Sequence, residues 1–197
     1  MLELLMPRRC FLCRTEGTAL CGSCATSLPA APDLAAPPGL ADCWSLLTYE
    51  GAAKDLVAAL KFHNHRDAVQ LLGSAMARLV DTDIEGGIDA VTWAPTSPAR
   101  RRHRGYDQAE LLARSVARAL GRPCRGTLDR VAGGAQTGHG REERLHGPRF
   151  RSRPGPPARM LLVDDVRTTG ATLCAAADTL IGAGTTDVAG LTLAVTL

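Results

Sequence analysis

The residues with the clearest chemical potential are an acidic pair followed by a turn rich in threonine and glycine. The segment MLLVDDVRTTGATL spans residues 160–173, and its apolar start is typical of a strand buried on both faces. Asp164 and Asp165 fall where this strand is expected to end, which is where parallel sheets bind their ligands. The turn offers successive backbone N–H groups at a predicted helix start, as a phosphate-binding loop does. Its residues are Thr168, Thr169, Gly170, Ala171 and Thr172.

Two carboxylates beside a phosphate-binding loop suit a sugar phosphate. The acids would accept hydrogen bonds from ribose hydroxyl groups, while the backbone amides would hold the phosphate. A plain strand–turn–helix junction with two solvated aspartates is the alternative interpretation.

A cluster of arginines forms a second group of residues suited to anion binding. Residues 93–113 are predicted to form a strand, a basic loop and a helix, with Asp107 and Glu110 as a capping pair. Four guanidinium groups lie within five positions, and their donors match a highly charged diphosphate. They belong to Arg100, Arg101, Arg102 and Arg104. A solvated basic loop and a nucleic-acid-binding patch remain open alternatives.

Four of the seven cysteines form two Cys-x-x-Cys pairs near the N-terminus. Seven residues separate Cys13 from Cys21, so Cys10, Cys13, Cys21 and Cys24 can supply four thiolates to one tetrahedral zinc ion. With all four positions taken by protein, the metal would be structural. Redox-active or simply buried cysteines are the alternative.

Composition and length restrict the class of protein. The chain has 197 residues, of which 45% are hydrophobic and 22% charged, with a formal net charge of +3. These values predict a globular protein with a sizeable core, and the mild charge does not demand a nucleic-acid partner. No apolar run reaches about 18 residues, and the start MLELLMPRRC lacks the order of a signal peptide. A cytoplasmic location without a membrane span is therefore expected.

Strand and helix patterns alternate after a segment rich in proline and alanine at residues 28–40. Strands are predicted at 44–49, 88–94, 160–165 and 191–197, and helices at 52–62, 66–80, 109–120 and 172–181, with an irregular stretch over 129–158. This alternation predicts an α/β domain with a parallel sheet flanked by helices. We expect a cysteine-containing knuckle and linker over 1–40 and the α/β domain over 41–197.

The segment VDDVRTTGAT resembles the phosphoribosyl-pyrophosphate signature of type I phosphoribosyltransferases. Together with other elements it resembles one branch, the ComF family of competence-related proteins. The matching elements are the double Cys-x-x-Cys, Leu60–Phe62, Arg104–Ala109, Gln136–Leu145 and Val163–Thr172. The resemblance covers almost the whole chain. This chain departs from the family pattern at Asp107, where asparagine is common, and after Arg144.

The resemblance implies a type I phosphoribosyltransferase-like fold and specific roles for the residues. The acid pair would contact the ribose hydroxyls of phosphoribosyl pyrophosphate, bound with Mg²⁺, and the threonine-glycine loop would hold the 5-phosphate. The arginine cluster would bind pyrophosphate, with Arg100 and Arg104 acting beside the acids. A hood segment would add Gln136, Arg141 and Arg144, although a disordered basic connector is the alternative there.

Three functions are compatible with this resemblance. The first is a transferase that moves the phosphoribosyl group to a nucleophile and releases pyrophosphate. The second is a non-catalytic accessory protein of DNA uptake that acts with a helicase on single-stranded DNA. The third is a regulator that senses a nucleotide ligand without converting it.

Overall fold

The computed structural model describes residues 9–62, 66–80, 87–131 and 148–197. Its main sheet has four parallel strands in the order β1-β6-β5-β2. The strands are β1 (Cys43–Thr48), β2 (Ala90–Trp93), β5 (Arg159–Arg167) and β6 (Asp187–Val195). A two-stranded antiparallel hairpin adds β3 (Leu128–Arg130) and β4 (Phe150–Ser152). The helices are α1 (Gly22–Ser27), α2 (Gly51–Phe62), α3 (Arg66–Ala77), α4 (Pro98–Arg104), α5 (Gln108–Leu120) and α6 (Ala171–Ile181).

Both faces of the sheet are covered, which explains the nearly continuous apolar character of β5 and β6. Successive side chains of a strand point to opposite faces. Leu161 and Val163 accordingly join a hydrophobic cluster with residues of α2, α3 and α5. Leu162 lies between them and packs on the other face with Leu173 and Leu180 of α6. The predicted parallel sheet flanked by helices is confirmed.

The predicted strands and helices of the α/β region are present with small shifts at their ends. The largest is in β6, which begins at Asp187 instead of at residue 191. Strand β5 continues through the acid pair to Arg167 instead of ending at residue 165. It continues because β6 pairs with it as far as Arg167, opposite Val195. The acid pair therefore lies within the strand, beyond the end of its other neighbour, β2.

Two segments expected to be irregular contain regular structure. The basic loop includes helix α4, which the Ser97 side chain caps by accepting from the Arg100 amide. Pro98 suits the first helical turn, and Gly105 ends the helix in the left-handed conformation. The stretch over 129–158 includes strands of the β3–β4 hairpin, in which Arg130 pairs with Phe150.

The proline-rich segment lies against the main sheet and helix α6. The Ala31 amide donates to Leu46 O of β1, and the Ala41 amide donates to Val188 O of β6. Leu40 is buried in the same cluster as Leu173 and Leu180. The segment is thus an extended connection packed on the structure it precedes.

Within the ranges that the structure describes, no helix combines the length and apolar character needed to cross a membrane.

Candidate functional site

A cavity of about 180 Å³ lies at the carboxyl ends of strands β2 and β5. It brings together side chains from residues 94–109, from strand β3 and from the acid-pair segment. Its charged and polar lining consists of Thr96, Arg100, Arg104, Asp107, Gln108, Arg130, Asp164, Asp165 and Thr172. Three cations and three acids therefore converge on one cavity, which suits a ligand that carries both anionic groups and hydroxyl groups.

The acid pair enters the cavity because β2 stops before β5 does. The last β2 residue, Trp93, pairs with Val163, and the next residue of β5 is Asp164. Asp164 Oδ1 accepts from the Asp165 amide at 2.8 Å, and Asp165 Oδ1 accepts from the Val166 amide at 2.8 Å. Burial and the neighbouring Asp165 charge raise the pKa of Asp164 well above its usual range. These backbone bonds orient the two carboxyl groups within β5, beyond the last residue of β2.

Helix α4 points two arginines of the cluster into the cavity and leaves the other two outside it. Arg100 and Arg104, four residues apart on the helix, both line the cavity. Arg101 instead lies 3.6 Å from Glu110 of α5 in an exposed ion pair, and Arg102 is exposed. The structure therefore brings Arg100 and Arg104 to the acid pair, whereas Arg101 and Arg102 lie outside the cavity lining.

Asp107 lies between α4 and α5 and bonds to the backbone on both sides of α4. Its Oδ2 accepts from the Thr96 amide at 2.8 Å, and its Oδ1 accepts from the Ala109 amide at 3.1 Å. Burial raises the pKa of Asp107, while these backbone donors act in the opposite direction. The predicted N-cap is confirmed, but Glu110 pairs with Arg114 at 2.8 Å and with Arg101.

Tyr106 connects this loop to helix α2. Its hydroxyl donates to Leu60 O at 2.7 Å. This hydrogen bond therefore joins two sequence elements that carry the family resemblance, residues 60–62 and 104–109, through Leu60 and Tyr106.

Arg130 is the arginine of the cavity that the sequence interpretation missed, and Thr96 and Gln108 were missed as well. Arg130 stands on β3, its guanidinium lies 5.7 Å from the centre of the Phe150 ring, and its Nη1 donates to Pro95 O at 3.5 Å. Burial and the charge of Arg100 lower its pKa, while Asp164 and Asp107 favour its charged form. No local motif marks this residue. Only the pairing of two three-residue strands places it beside the acids.

The threonine-glycine loop has the backbone conformation expected of a strand-to-helix turn. Gly170 adopts a φ of +79° and serves as N-cap of α6, and Thr169 Oγ1 accepts from the Ala171 amide at 3.4 Å. Thr172 lines the cavity with the acid pair, whereas residues 168–171 lie outside that lining. The loop is thus adjacent to the cavity and continuous with it through Thr172.

The proline-rich segment packs against the threonine-glycine loop and the end of β5. A Cβ atom at Gly170 would lie 3.1 Å from Pro37 Cγ. Arg167 Nη1 also donates to Ala35 O at 3.5 Å. We call residues 35–41 the strap, because they pack over the turn that precedes α6.

The hood residues Gln136, Arg141 and Arg144 lie outside the described residues. Their predicted roles stay predictions.

The four N-terminal cysteines converge on one point, where they could hold a metal ion. The Sγ atoms of Cys10, Cys13, Cys21 and Cys24 all lie within 4.8 Å of one another, and those of Cys13 and Cys21 are 3.6 Å apart. Tetrahedral zinc with Zn–S bonds of about 2.3 Å requires sulfur atoms about 3.8 Å apart. The donor set and its spacing therefore fit zinc.

The thiols also show the electrostatics of a metal-binding cluster. Burial raises the pKa of Cys10, but backbone donors at Cys13, Cys21 and Leu12 outweigh it and lower that pKa to about 6. Hydrogen bonds with Cys21 and Cys13 raise the pKa of Cys24 to about 12. Four neighbouring thiols resist joint ionisation, and a bound cation would remove that repulsion.

Comparisons with known proteins gave structural matches only. No protein-family model and no curated protein matches the chain. One similar solved structure is the allosteric regulatory enzyme of purine biosynthesis, with 19% identity, a TM-score of 0.47 and coverage of 69% of this chain. Another is glutamine phosphoribosylpyrophosphate amidotransferase from B. subtilis complexed with ADP and GMP, with 20% identity, a TM-score of 0.44 and 68% coverage. This chain spans 30% of the length of each. Both TM-scores lie below 0.5, so the α/β assignment stands on the strand order described above.

Proposed function

We propose that this protein binds phosphoribosyl pyrophosphate together with Mg²⁺. The observation that carries the proposal is a single cavity that joins an acid pair, three arginines and Thr172, the last residue of the threonine-glycine loop. Carboxylates accept from ribose hydroxyls, guanidinium groups bind diphosphate oxygens, and backbone amides at a helix start hold a terminal phosphate.

The proposed roles follow from these positions. Asp164 and Asp165 hold the ribose, and residues 168–172 bind the 5-phosphate. Arg100, Arg104 and Arg130 face the diphosphate from α4 and β3. The exposed Arg101 and Arg102, together with the hood residues Gln136, Arg141 and Arg144, are proposed to complete diphosphate binding when ligand is present. Mg²⁺ would offset the diphosphate charge, and the carboxylate oxygens of the acid pair are the hard donors that this cation prefers.

We further propose that the bound ligand transfers its phosphoribosyl group. The bond between the anomeric carbon and the diphosphate oxygen breaks, and its electron pair leaves with pyrophosphate. A nucleophile then bonds to that carbon and loses its proton. The arginines would stabilise the charge that develops on the leaving group. A regulator that binds the ligand without breaking this bond is the alternative at the same site.

Ligand binding is the direct test. Phosphoribosyl pyrophosphate with Mg²⁺ is expected to stabilise the protein by about 2.7 kcal/mol at a hundredfold excess over its dissociation constant. Differential scanning calorimetry measures this, and release of pyrophosphate with a panel of nucleobases distinguishes the transferase from the regulator. Absence of any interaction with phosphoribosyl pyrophosphate or ribose 5-phosphate would contradict the proposal.

An Asp164→Asn variant is expected to lose ligand binding and to gain stability. A carboxyl whose folded-state pKa is raised binds its proton more tightly in the folded protein. The free energy of unfolding therefore falls as pH rises from the unfolded-state pKa through the folded-state pKa. At neutral pH the unfolded chain carries the Asp164 charge in water, so burial of this 9% exposed carboxyl destabilises the fold. Asparagine removes that charge and can keep the acceptor for the Asp165 amide.

We expect a gain of about 0.5–2 kcal/mol in the unfolding free energy of ligand-free Asp164→Asn at pH 7. Thermal melts at several pH values measure it, and the gain should shrink towards acidic pH. A variant that is less stable than wild type at pH 7 would contradict the proposed cost of this charge.

We propose that the four-cysteine cluster holds one structural zinc ion. The fit of the sulfur spacing to tetrahedral zinc supports this. We also propose residues 1–40 as the knuckle and its proline-rich connection, and residues 41–197 as the phosphoribosyltransferase-like domain. Cys10 and Leu20 nevertheless belong to the same hydrophobic cluster as Leu47 and Leu56, so the two units share packing.

A role in DNA uptake beside a helicase is the second candidate function. It rests on the ComF resemblance and on the exposure of Arg101 and Arg102 outside the cavity. Affinity for single-stranded DNA should then fall with salt, and Ala at both positions should reduce the log–log slope by about 1.4. An unchanged slope would place any DNA contact elsewhere.

A further inference from the structure

Gln108 carries a buried hydrogen-bond donor at the wall of the candidate site. The residue is 6% exposed, stands at the first position of helix α5 and lines the same cavity as the acid pair and the arginines. Its Nε2 atom is buried and has no hydrogen-bond partner in the described part of the chain. Buried polar groups are nearly always paired, so this nitrogen needs an explanation.

The orientation of the Gln108 amide follows from its neighbour. Arg104 Nη1 donates to Gln108 Oε1 at 2.8 Å. A guanidinium has donors only, so it requires the carbonyl oxygen to face it. Exchanging the oxygen and nitrogen positions would set donor against donor. The unpaired group is therefore the NH₂, with two protons to donate.

Carboxyl groups line the same cavity, but none of them pairs with Gln108 Nε2 in the described chain. Asp107, its neighbour in the chain, accepts from the amides of Thr96 and Ala109. Asp164 Oδ1 accepts from the Asp165 amide. An acceptor for Gln108 is thus best supplied by a bound molecule. Because Arg100, Arg104 and Arg130 line the same cavity, that molecule is an anion.

We propose that Gln108 binds the diphosphate of the ligand, with Nε2 donating to a phosphoryl oxygen beside Arg104. The inference rests on the proposed function and adds a residue to it. The hydrogen bond between Arg104 and Gln108 would hold both side chains for the same group. Residues 168–171 of the 5-phosphate loop lie outside the cavity lining, and only its last residue, Thr172, reaches it, so Gln108 should have little effect on binding at that loop.

Two variants at position 108 test whether the NH₂ donor itself is needed for binding. Gln108→Glu keeps an acceptor for Arg104 but removes the NH₂ donor and adds negative charge. Gln108→Leu removes the donor without adding charge, at similar size. Gln70→Glu makes the first change at an exposed position of helix α3, away from the cavity, and serves as control.

Isothermal titration calorimetry with three probes, each with Mg²⁺, tests the proposal. The probes are inorganic pyrophosphate, phosphoribosyl pyrophosphate and ribose 5-phosphate. Both Gln108 variants are expected to weaken the first two at least tenfold, which corresponds to about 1.4 kcal/mol. Ribose 5-phosphate should stay within twofold, and Gln70→Glu should match wild type for every probe. Thermal melts identify a variant that fails to fold, in which case the other variant decides.

The outcomes also separate this inference from the proposed function. Equal pyrophosphate affinity in wild type and a folded Gln108 variant overturns the inference and leaves the ligand class standing. Gln108-dependent binding of pyrophosphate without binding of phosphoribosyl pyrophosphate supports the inference and overturns the proposed function. Equal weakening of ribose 5-phosphate would show general damage to the site and overturn the assignment to the diphosphate. Binding of none of the three probes to wild type overturns both.

Discussion

Removing zinc from the four-cysteine cluster is expected to lower the melting temperature of the whole chain by about 10 °C or more, roughly 3–5 kcal/mol for a protein of this size. Short segments with few apolar contacts depend on a metal for their folded state. Here the dependence should reach further, because Cys10 is fully buried and shares a hydrophobic cluster with Leu47 and Leu56 of the α/β region. Loss of the knuckle would expose part of that cluster to water.

Metal analysis of protein purified without chelator should show one zinc per chain. Cys10→Ser and Cys24→Ser should each lose the metal and show the lowered melting temperature. Cys124→Ser, which changes a half-buried cysteine outside the cluster, should keep both zinc and stability. Zinc-free wild-type protein, or a melting temperature unaffected by chelation, would be incompatible with a structural metal.

Gly170→Val is expected to abolish binding of ribose 5-phosphate and phosphoribosyl pyrophosphate, and to destabilise the protein by about 1–3 kcal/mol. Two independent features produce the effect. The φ of +79° is strained for a β-branched residue, and its Cβ would lie 3.1 Å from Pro37 Cγ and 3.2 Å from Pro37 Cβ. Relief of either strain would shift the turn that precedes α6, and with it the amides proposed to hold the phosphate.

A matched glycine separates backbone strain from the effect on the loop. Gly155 has a φ of +66°, and no atom lies within 4 Å of the position that a Cβ would take there, so Gly155→Val carries strain without the contact. It should lose stability but keep ligand affinity. Calorimetric titration and thermal melts of both variants measure the difference. Wild-type affinity in Gly170→Val would exclude this loop as the phosphate site.

The strap gives this second prediction a further check. Pro37→Ala should relieve part of the crowding, because an alanine lacks the Cγ atom that approaches position 170 most closely. Adding Pro37→Ala to Gly170→Ala should therefore recover some of the stability that Gly170→Ala alone loses. No recovery would mean that the backbone conformation, and not the strap, sets the requirement for glycine.

Local patterns were sufficient for the framework of the fold. The alternation of apolar strands and amphipathic helices predicted the parallel sheet, because periodicity and burial are coupled in every such element. Asp107 was identifiable as a cap, since an N-cap bonds amides only two or three residues away. The paired cysteines and the acid pair with the turn after it were identifiable for the same reason, because each is a short motif with a local geometric rule.

Which residues line the cavity depended on tertiary structure. Helix α4 carries charges in place of an apolar stripe, and strands β3 and β4 have three residues each, so neither has a periodicity that a sequence reveals. Arg130 therefore reached the acid pair only through the pairing of that hairpin. Sequence determined which chemical groups were present and which strand would carry the acid pair. Packing alone decided that Gln108 keeps a buried amide without a partner in the described chain, because hydrogen-bond satisfaction depends on neighbours distant in sequence.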